Sequence, residues 1–207
     1  MASAALTARA YTSRTSSLGD VQVSGRYMGL LPSRALTLQA GLKLPTGSHS
    51  KTGTSTDPSN PAPVDIDRGL QPGSGSTDAI VGVAYSDALN HEWEYLVQGL
   101  LQSALSTRDG YRPGNGINLN LGLRYAASAS VQPQLQVNVR HASRDVGPDA
   151  DKANSGGTLV YLSPGFTAPL GQQTSVYGYV QLPIYQNVYG VQLTPRFTAS
   201  IGVRHNF

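Results

Sequence analysis

The sequence predicts an all-β chain, folded as an antiparallel up-and-down transmembrane β-barrel of about ten strands, within a range of roughly nine to twelve. Three observations carry that expectation. Apolar and polar residues alternate with period two along most of the chain, long and short connections take turns between the alternating stretches, and aromatic residues gather near the short connections on the apolar side.

The period is clearest in three segments. In "INLNLGLRY", Ile117, Leu119, Leu121, Leu123 and Tyr125 oppose Asn118, Asn120, Gly122 and Arg124. In "VQPQLQVNVRH", Val131, Pro133, Leu135, Val137 and Val139 oppose Gln132, Gln134, Gln136, Asn138 and Arg140. In "ALTLQAGLKL", Leu36, Leu38, Ala40, Leu42 and Leu44 oppose Thr37, Gln39, Gly41 and Lys43. Weaker copies fall near 19–31, 77–86, 92–103, 158–168, 174–185 and 193–207, and a tenth, poorly patterned, lies around "ALTARAY". The last strand ends on Ala199, Ile201, Val203, His205 and Phe207 along one side. No helical period competes with these readings.

The connections then sort themselves. Long, Gly/Ser/Asp-rich ones, Pro45–Ser76, "ALSTRDGYRPGNG" and "SRDVGPDADKANSGG", alternate with the tight "PSR", "DALNH", "ASAS" and "LGQQ", while "NVYGV" reads as a further short turn. In an up-and-down barrel every second connection shares a rim, so the long loops are expected outside the cell and the tight turns and C-terminus on the periplasmic side. Tyr85, Trp93, Tyr95, Tyr125, His205 and Phe207 lie on the apolar face near the tight-turn rim, where interfacial aromatics of a membrane barrel belong. A closing strand that carries Gly202 and stops on Phe207 resembles the C-terminal signal read by barrel-insertion machinery, which is one expected partner. The whole of 1–207 reads as one domain, with 45–76 as its long extracellular loop.

Composition limits the alternatives. Charged residues are 13% of the chain, about half the soluble norm, and there is no cysteine. No stretch approaches the roughly 18 apolar residues of a membrane helix, so a membrane would be crossed by closed strands, with lipid and lipopolysaccharide as partners. A soluble sandwich or lipocalin-like barrel would also alternate, with its apolar face inward. Net charge is +3 with scattered basic residues, which argues against nucleic acid. "MASAALTARAYTSRTSS" lacks the charged and apolar blocks of a secretory signal, so the sequence reads as a mature part or as incomplete at its start.

No enzyme is expected: His49, His91, His141 and His205 lack a nucleophile and acid at suggestive positions, and no GxSxG occurs. No cofactor or metal is expected either. "GSGSTD" lacks the lysine and helix of a phosphate loop, and Asp65, Asp67, Asp145, Asp149 and Asp151 read as solvated loop acids.

The polar face, taken as the lumen, carries Arg26, Lys43, Arg124, Arg140, Arg196 and Arg204, with Asp20, Asp78, Glu92 and Glu94 as acids and Gln98, Asn120 and Gln136 among many amides. Glu94 is expected to pair with a lumen arginine. Tyr177, Tyr179 and Tyr185, with Tyr161, form either a ladder for an aromatic solute or cross-strand packing. Two functions stay open: a passive channel for small, aromatic or anionic solutes, and a non-conducting structural or surface-interaction barrel whose function sits in the loops.

"SLGDVQVSGRY", "GLKLPTGSHSKTG" and "LQPGSGSTDAIVGVAYS" resemble the outer-membrane transporter family associated with the meta-pathway of phenol degradation. "LVYLSPGF", "YVQLPIYQNVYGVQL" and "PRFTASIGVRHNF" are similar to that family's closing strands, so the resemblance spans roughly residues 13–207. It implies a bacterial outer-membrane channel or transporter linked to aromatic compounds; members of that family usually begin with a signal peptide and further N-terminal strands, which are not recognised in this sequence.

Overall fold

The computed structural model describes residues 11–12, 17–55, 63–128 and 130–206. The elements are β1 (Tyr11–Thr12), β2 (Val21–Tyr27), β3 (Leu36–Leu44), β4 (Thr52–Ser55), β5 (Pro63–Asp65), β6 (Asp78–Ala88), β7 (Trp93–Ala104), β8 (Gly116–Tyr125), β9 (Gln132–Ala142), β10 (Gly157–Pro169), β11 (Thr174–Val188) and β12 (Thr198–His205), with one 3-10 turn at Arg68–Leu70. Nine of these strands form one antiparallel sheet in the order β12-β11-β10-β9-β8-β7-β6-β3-β2, and β1, β4 and β5 form a small separate sheet. Each neighbour in the large sheet is the next strand in sequence apart from the excursion through β4 and β5, so the sheet is a meander.

The connections alternate throughout. Residues 28–35, 89–92, 126–131 and 170–173 turn at one rim; 45–77, 105–115, 143–156 and 189–197 cross at the other. The connection after β11, expected to be short, therefore belongs with the long ones. Pro195 within it has no N–H for a sheet ladder, which helps to delay β12 to Thr198 rather than 193. An odd number of antiparallel strands also leaves β2 and β12 running the same way, from the long-loop rim to the short-turn rim.

The alternation sets which side is wet. Directly opposite residues share a face: Leu121 sits between Val97 and Val137, and Gly122 between Leu96 and Gln136. The apolar face is the exposed one, with Val81 52%, Leu101 50% and Leu121 53% accessible. Its polar counterpart turns toward the concave side, where Ser163 is only 1% exposed. Among the described residues the few buried apolar side chains lie toward the rims, Ile66, Ile80, Ala104 and Tyr111 at the long-loop one and Ala35 at the short-turn one, instead of in a central oily layer. This is the reverse of the arrangement that stabilises a soluble barrel or sandwich, where apolar burial is the main favourable term.

One irregularity breaks the period. Between Val160 and Tyr161 the register of β10 on β11 shifts, so Tyr161 faces Pro183 while Val160 faces Tyr185. Ile184 is the extra residue. Tyr185 is thereby carried to the face of Val139 and Val160, away from Tyr179, and the four-tyrosine ladder expected from strict alternation does not form.

Candidate functional site

The sheet curls far enough that Arg26 on β2 and Arg204 on β12 line one cavity of about 620 Å³. Between them its wall includes Gln39, Gln98, Gln136 and Tyr179, all delivered to the concave face by the polar half of the strand pattern. Glu94 on β7 is directly opposite Arg124 on β8, and Arg124 Nη2 donates to Glu94 Oε2, so the expected carboxylate–arginine pair is present. Arg26 Nε donates to Gln39 Oε1 at 3.2 Å. Arg34, which the alternation could not assign to a face, joins the lining from the tight turn before β3, where its φ of 55° lies in the left-handed region. A basic residue in the 28–35 connection at the mouth is the available signal.

Tyr179 reaches this wall across a neighbouring strand. Its register partner is Gly165, and a Cβ there would collide with the tyrosine ring. With only hydrogen in the way, the phenol passes over β10 to β9, where its hydroxyl donates to Gln134 Oε1 and accepts from Gln136 Nε2 at 3.0 Å. Tyr177 lies in the same manner over Gly202 of β12, its ring 6.4 Å from that of Tyr179. The glycines thus let the two tyrosine rings lean over the neighbouring strands, tilted 56° to one another.

Farther toward the long-loop rim the amides close on one another. Asn138 Nδ2 donates to Asn120 Oδ1 at 2.8 Å and to Gln136 Oε1 at 3.2 Å, while its Oδ1 accepts from Ser163 Oγ and from Gln181 Nε2. Asn120 Nδ2 continues the chain to Gln98 Oε1 at 3.0 Å.

At the long-loop rim, Lys43 is held by Asp20 at 3.1 Å and Asp78 at 3.0 Å, with Ser74 Oγ as a further partner. Its side chain is 14% exposed, against 8% and 4% for the two acids, so this lysine is a buried structural cation and no part of the cavity wall. Asp20 also accepts the N–H groups of Gly47 and Ser74, both at 3.0 Å, which ties the two ends of the 45–77 loop to the start of β2. Burial works to raise the Asp20 pKa, but these N–H groups and the Lys43 ammonium outweigh it and hold the carboxyl below its ordinary value.

A second cavity, of about 600 Å³, lies among the long loops. Arg68 is its organising cation: Nη1 donates to the His49 carbonyl at 2.6 Å, Nη2 to the Arg108 carbonyl at 2.9 Å, and the guanidinium lies 5.1 Å from the centre of the Tyr111 ring. Tyr111 in turn donates to Asp145 Oδ2 at 3.0 Å. Burial first, and the Asp145 charge second, push its phenol pKa well up.

The remaining expected residues are scattered. Arg140 is exposed at the long-loop end of β9, opposite Asn118 and Leu159. Arg196 falls in the connection before β12 and so has no strand face. On the apolar face, Trp93 and Tyr125 meet edge to face at 5.2 Å, and Tyr85 and Tyr95 lie 6.0 Å apart, all near the short-turn rim. Phe207 lies outside the described residues. Among the described residues no group of three or more His, Cys, Asp or Glu is placed to hold a metal ion. No protein-family model and no curated protein matches the chain.

Proposed function

We propose that the chain is a bacterial outer-membrane β-barrel that passes small solutes passively, with a preference for anionic and aromatic ones. The observation that carries this is the inverted sheet: an exposed apolar face with paired aromatics near one rim, and a concave face of amides and guanidinium groups. Lipid would cover the first, as it has no hydrogen bonds to offer the second. The long loops would then lie outside the cell and the short turns, with the C-terminus, in the periplasm. Barrel closure needs an odd number of further strands between β2 and β12, since those two run parallel.

The cavity chemistry supports the solute class. Four arginines face a single glutamate there, and Tyr179 and the amides offer a stacking surface and hydrogen-bond partners. That agrees with the resemblance to transporters linked to phenol degradation. The reading assigns the protein no bond-breaking step. Charge acts through water over only about 8–10 Å at moderate salt, so selectivity needs a lumen of the cavity's modest width.

The amide cluster at Asn138 favours a second reading, a barrel closed at mid-height whose function lies in the loops. Planar-bilayer recording separates the two. The channel reading expects stable unit conductance with anion preference, and a reversal potential that moves toward cations in Arg26→Gln/Arg204→Gln. A refolded barrel that passes no current establishes the closed form.

A further inference from the structure

The cavity that Arg26 and Arg204 share is rich in uncommitted donors. Of its four arginines only Arg124 has a carboxylate, Glu94; among the described residues Arg26, Arg34 and Arg204 have none, and all three are exposed. The other acids at this rim stay outside the cavity. Asp87 lies on the apolar face opposite Tyr95, where the Tyr85 hydroxyl donates to it at 3.1 Å, and Glu92 stands in the exposed 89–92 turn. The lining amides point the same way. Gln39 Oε1 accepts from Arg26, Gln98 Oε1 from Asn120, Gln134 Oε1 from Tyr179 and Gln136 Oε1 from Asn138. With their oxygens in use, Gln39 and Gln98 each keep an amide NH2 group that has no partner among the described residues. Arg34 adds a backbone observation. Its φ of 55° is a conformation that glycine or asparagine adopts with ease and arginine does not, yet the turn closed by its N–H on the Leu31 carbonyl at 2.9 Å presents a guanidinium to the cavity.

Resting on the reading of the concave face as a wet lumen, we propose that this cavity is a binding site for small oxyanions carrying two negative charges, the chemistry shared by dicarboxylates and phosphate monoesters. Guanidinium groups hold carboxylate and phosphate oxygens through paired, charge-assisted hydrogen bonds. A dianion engages two of the three uncompensated arginines at once and offers its remaining oxygens to the free amides of Gln39 and Gln98. A monoanion engages one arginine and leaves the others uncompensated, and a neutral solute engages none through charge. The volume of about 620 Å³ suits a small solute together with some of its water. Binding is reversible and involves no bond-breaking step, so the site holds such a solute within the lumen and releases it unchanged.

The test is calorimetric titration of the whole refolded chain in detergent with succinate, glycerol phosphate and acetate, beside planar-bilayer recording of the same preparation. At ~0.1 M KCl at least one of the two dianions is expected to bind about tenfold more tightly than acetate, and the tighter of them tells whether the site takes two separated carboxylates or one compact phosphate. At about 1 M, where screening shortens to ~3 Å, the preference shrinks. Arg204→Gln and Arg34→Asn each weaken dianion binding about threefold or more. The second does so without loss of urea stability, because asparagine suits the left-handed backbone at that position. Arg140→Gln, at the long-loop end of β9, leaves binding unchanged. In the bilayer, the tighter dianion reduces the KCl current of the wild type. Equal affinities for succinate, glycerol phosphate and acetate in a barrel that conducts overturn the site and leave the channel reading standing. Selective dianion binding by a barrel that carries no current overturns the channel reading and leaves the site, and absence of both overturns both.

Discussion

Replacing Lys43 with methionine removes one cation from between two carboxylates that are almost out of contact with water, and the structure sets the expected cost. Asp20 and Asp78 have side chains 8% and 4% exposed, and both lie within 3.1 Å of the ammonium. Breaking a buried pair by deleting one partner typically costs about 3–5 kcal/mol, because the other charge stays behind without compensation. Here two acids stay behind, although not equally. Asp20 keeps the N–H groups of Gly47 and Ser74, and Asp78 keeps the Ser76 hydroxyl and the Gln102 amide, both at 2.6 Å. Those charge-assisted hydrogen bonds, about 1.5–3 kcal/mol each, place Lys43→Met near 3 kcal/mol instead of at the sum of two broken pairs. Asp78→Asn leaves Lys43 with Asp20 and should cost about 1–2 kcal/mol, less than Lys43→Met. Urea unfolding of the refolded protein, followed by circular dichroism, measures both. Equal midpoints for wild type and Lys43→Met would refute the assignment of this lysine to a structural clasp and return it to the solute-contacting set.

Three further outcomes follow from the same geometry. Because a folded-state pKa held below the unfolded value of about 3.9 adds stability that is full above that value and fades as pH falls through the folded pKa, the wild type should lose stability below about pH 4, with Asp20→Asn losing less between pH 7 and pH 3. Gly165→Ala should cost about 2–3 kcal/mol, since the new methyl displaces the Tyr179 ring and with it the bonds to Gln134 and Gln136; Tyr179→Phe, which keeps the ring and loses only the hydroxyl, should cost about 1 kcal/mol in the same unfolding assay. Spin labels at Val23 and Ile201, on the exposed faces of β2 and β12, should report backbones about 10 Å apart if a single strand spaced ~4.8 Å from each closes the seam, whereas a separation beyond about 20 Å means an open sheet.

The strands were legible because a two-sided sheet forces its environment onto every residue. Gln132 through Arg140 cannot switch faces without exchanging five polar positions for apolar ones, so register and face follow from the pattern. That Glu94 pairs with an arginine of the polar face was legible for the same reason, but that the partner is Arg124 depends on the register across the long 105–115 loop, which alternation does not give. What alternation cannot encode is a change of phase. The bulge at Val160 and Tyr161 moves Tyr185 to the far face, and the signal available for it is Pro183, beside the extra residue Ile184, since a proline inside a sheet favours a bulge. The role of Lys43 was hidden for another reason. The pattern places it on the polar face, but Asp20, Ser74 and Asp78 reach it only when the whole 45–77 excursion folds back on the end of β3, a contact made through loop closure and invisible to local spacing.

The choice between a conducting and a closed barrel turns on the energy scale of the amide cluster. Asn138 is held by Asn120, Gln136, Ser163 and Gln181, all of them neutral partners. A neutral hydrogen bond contributes only about 0.5–1.5 kcal/mol net when water can replace the lost partner, so a hydrated solute that supplies its own donors and acceptors exchanges bonds at little cost. The ion pairs that would resist displacement stand elsewhere: Glu94–Arg124 at the short-turn mouth and Lys43 with its two acids under the long loops. Mid-height is therefore the cheapest part of the concave face to rearrange, and the strong electrostatics sit at its ends. A plug meant to stay shut would be expected to place its charge pairs in the middle, so this distribution favours a lumen that selects at its mouths and yields at its waist.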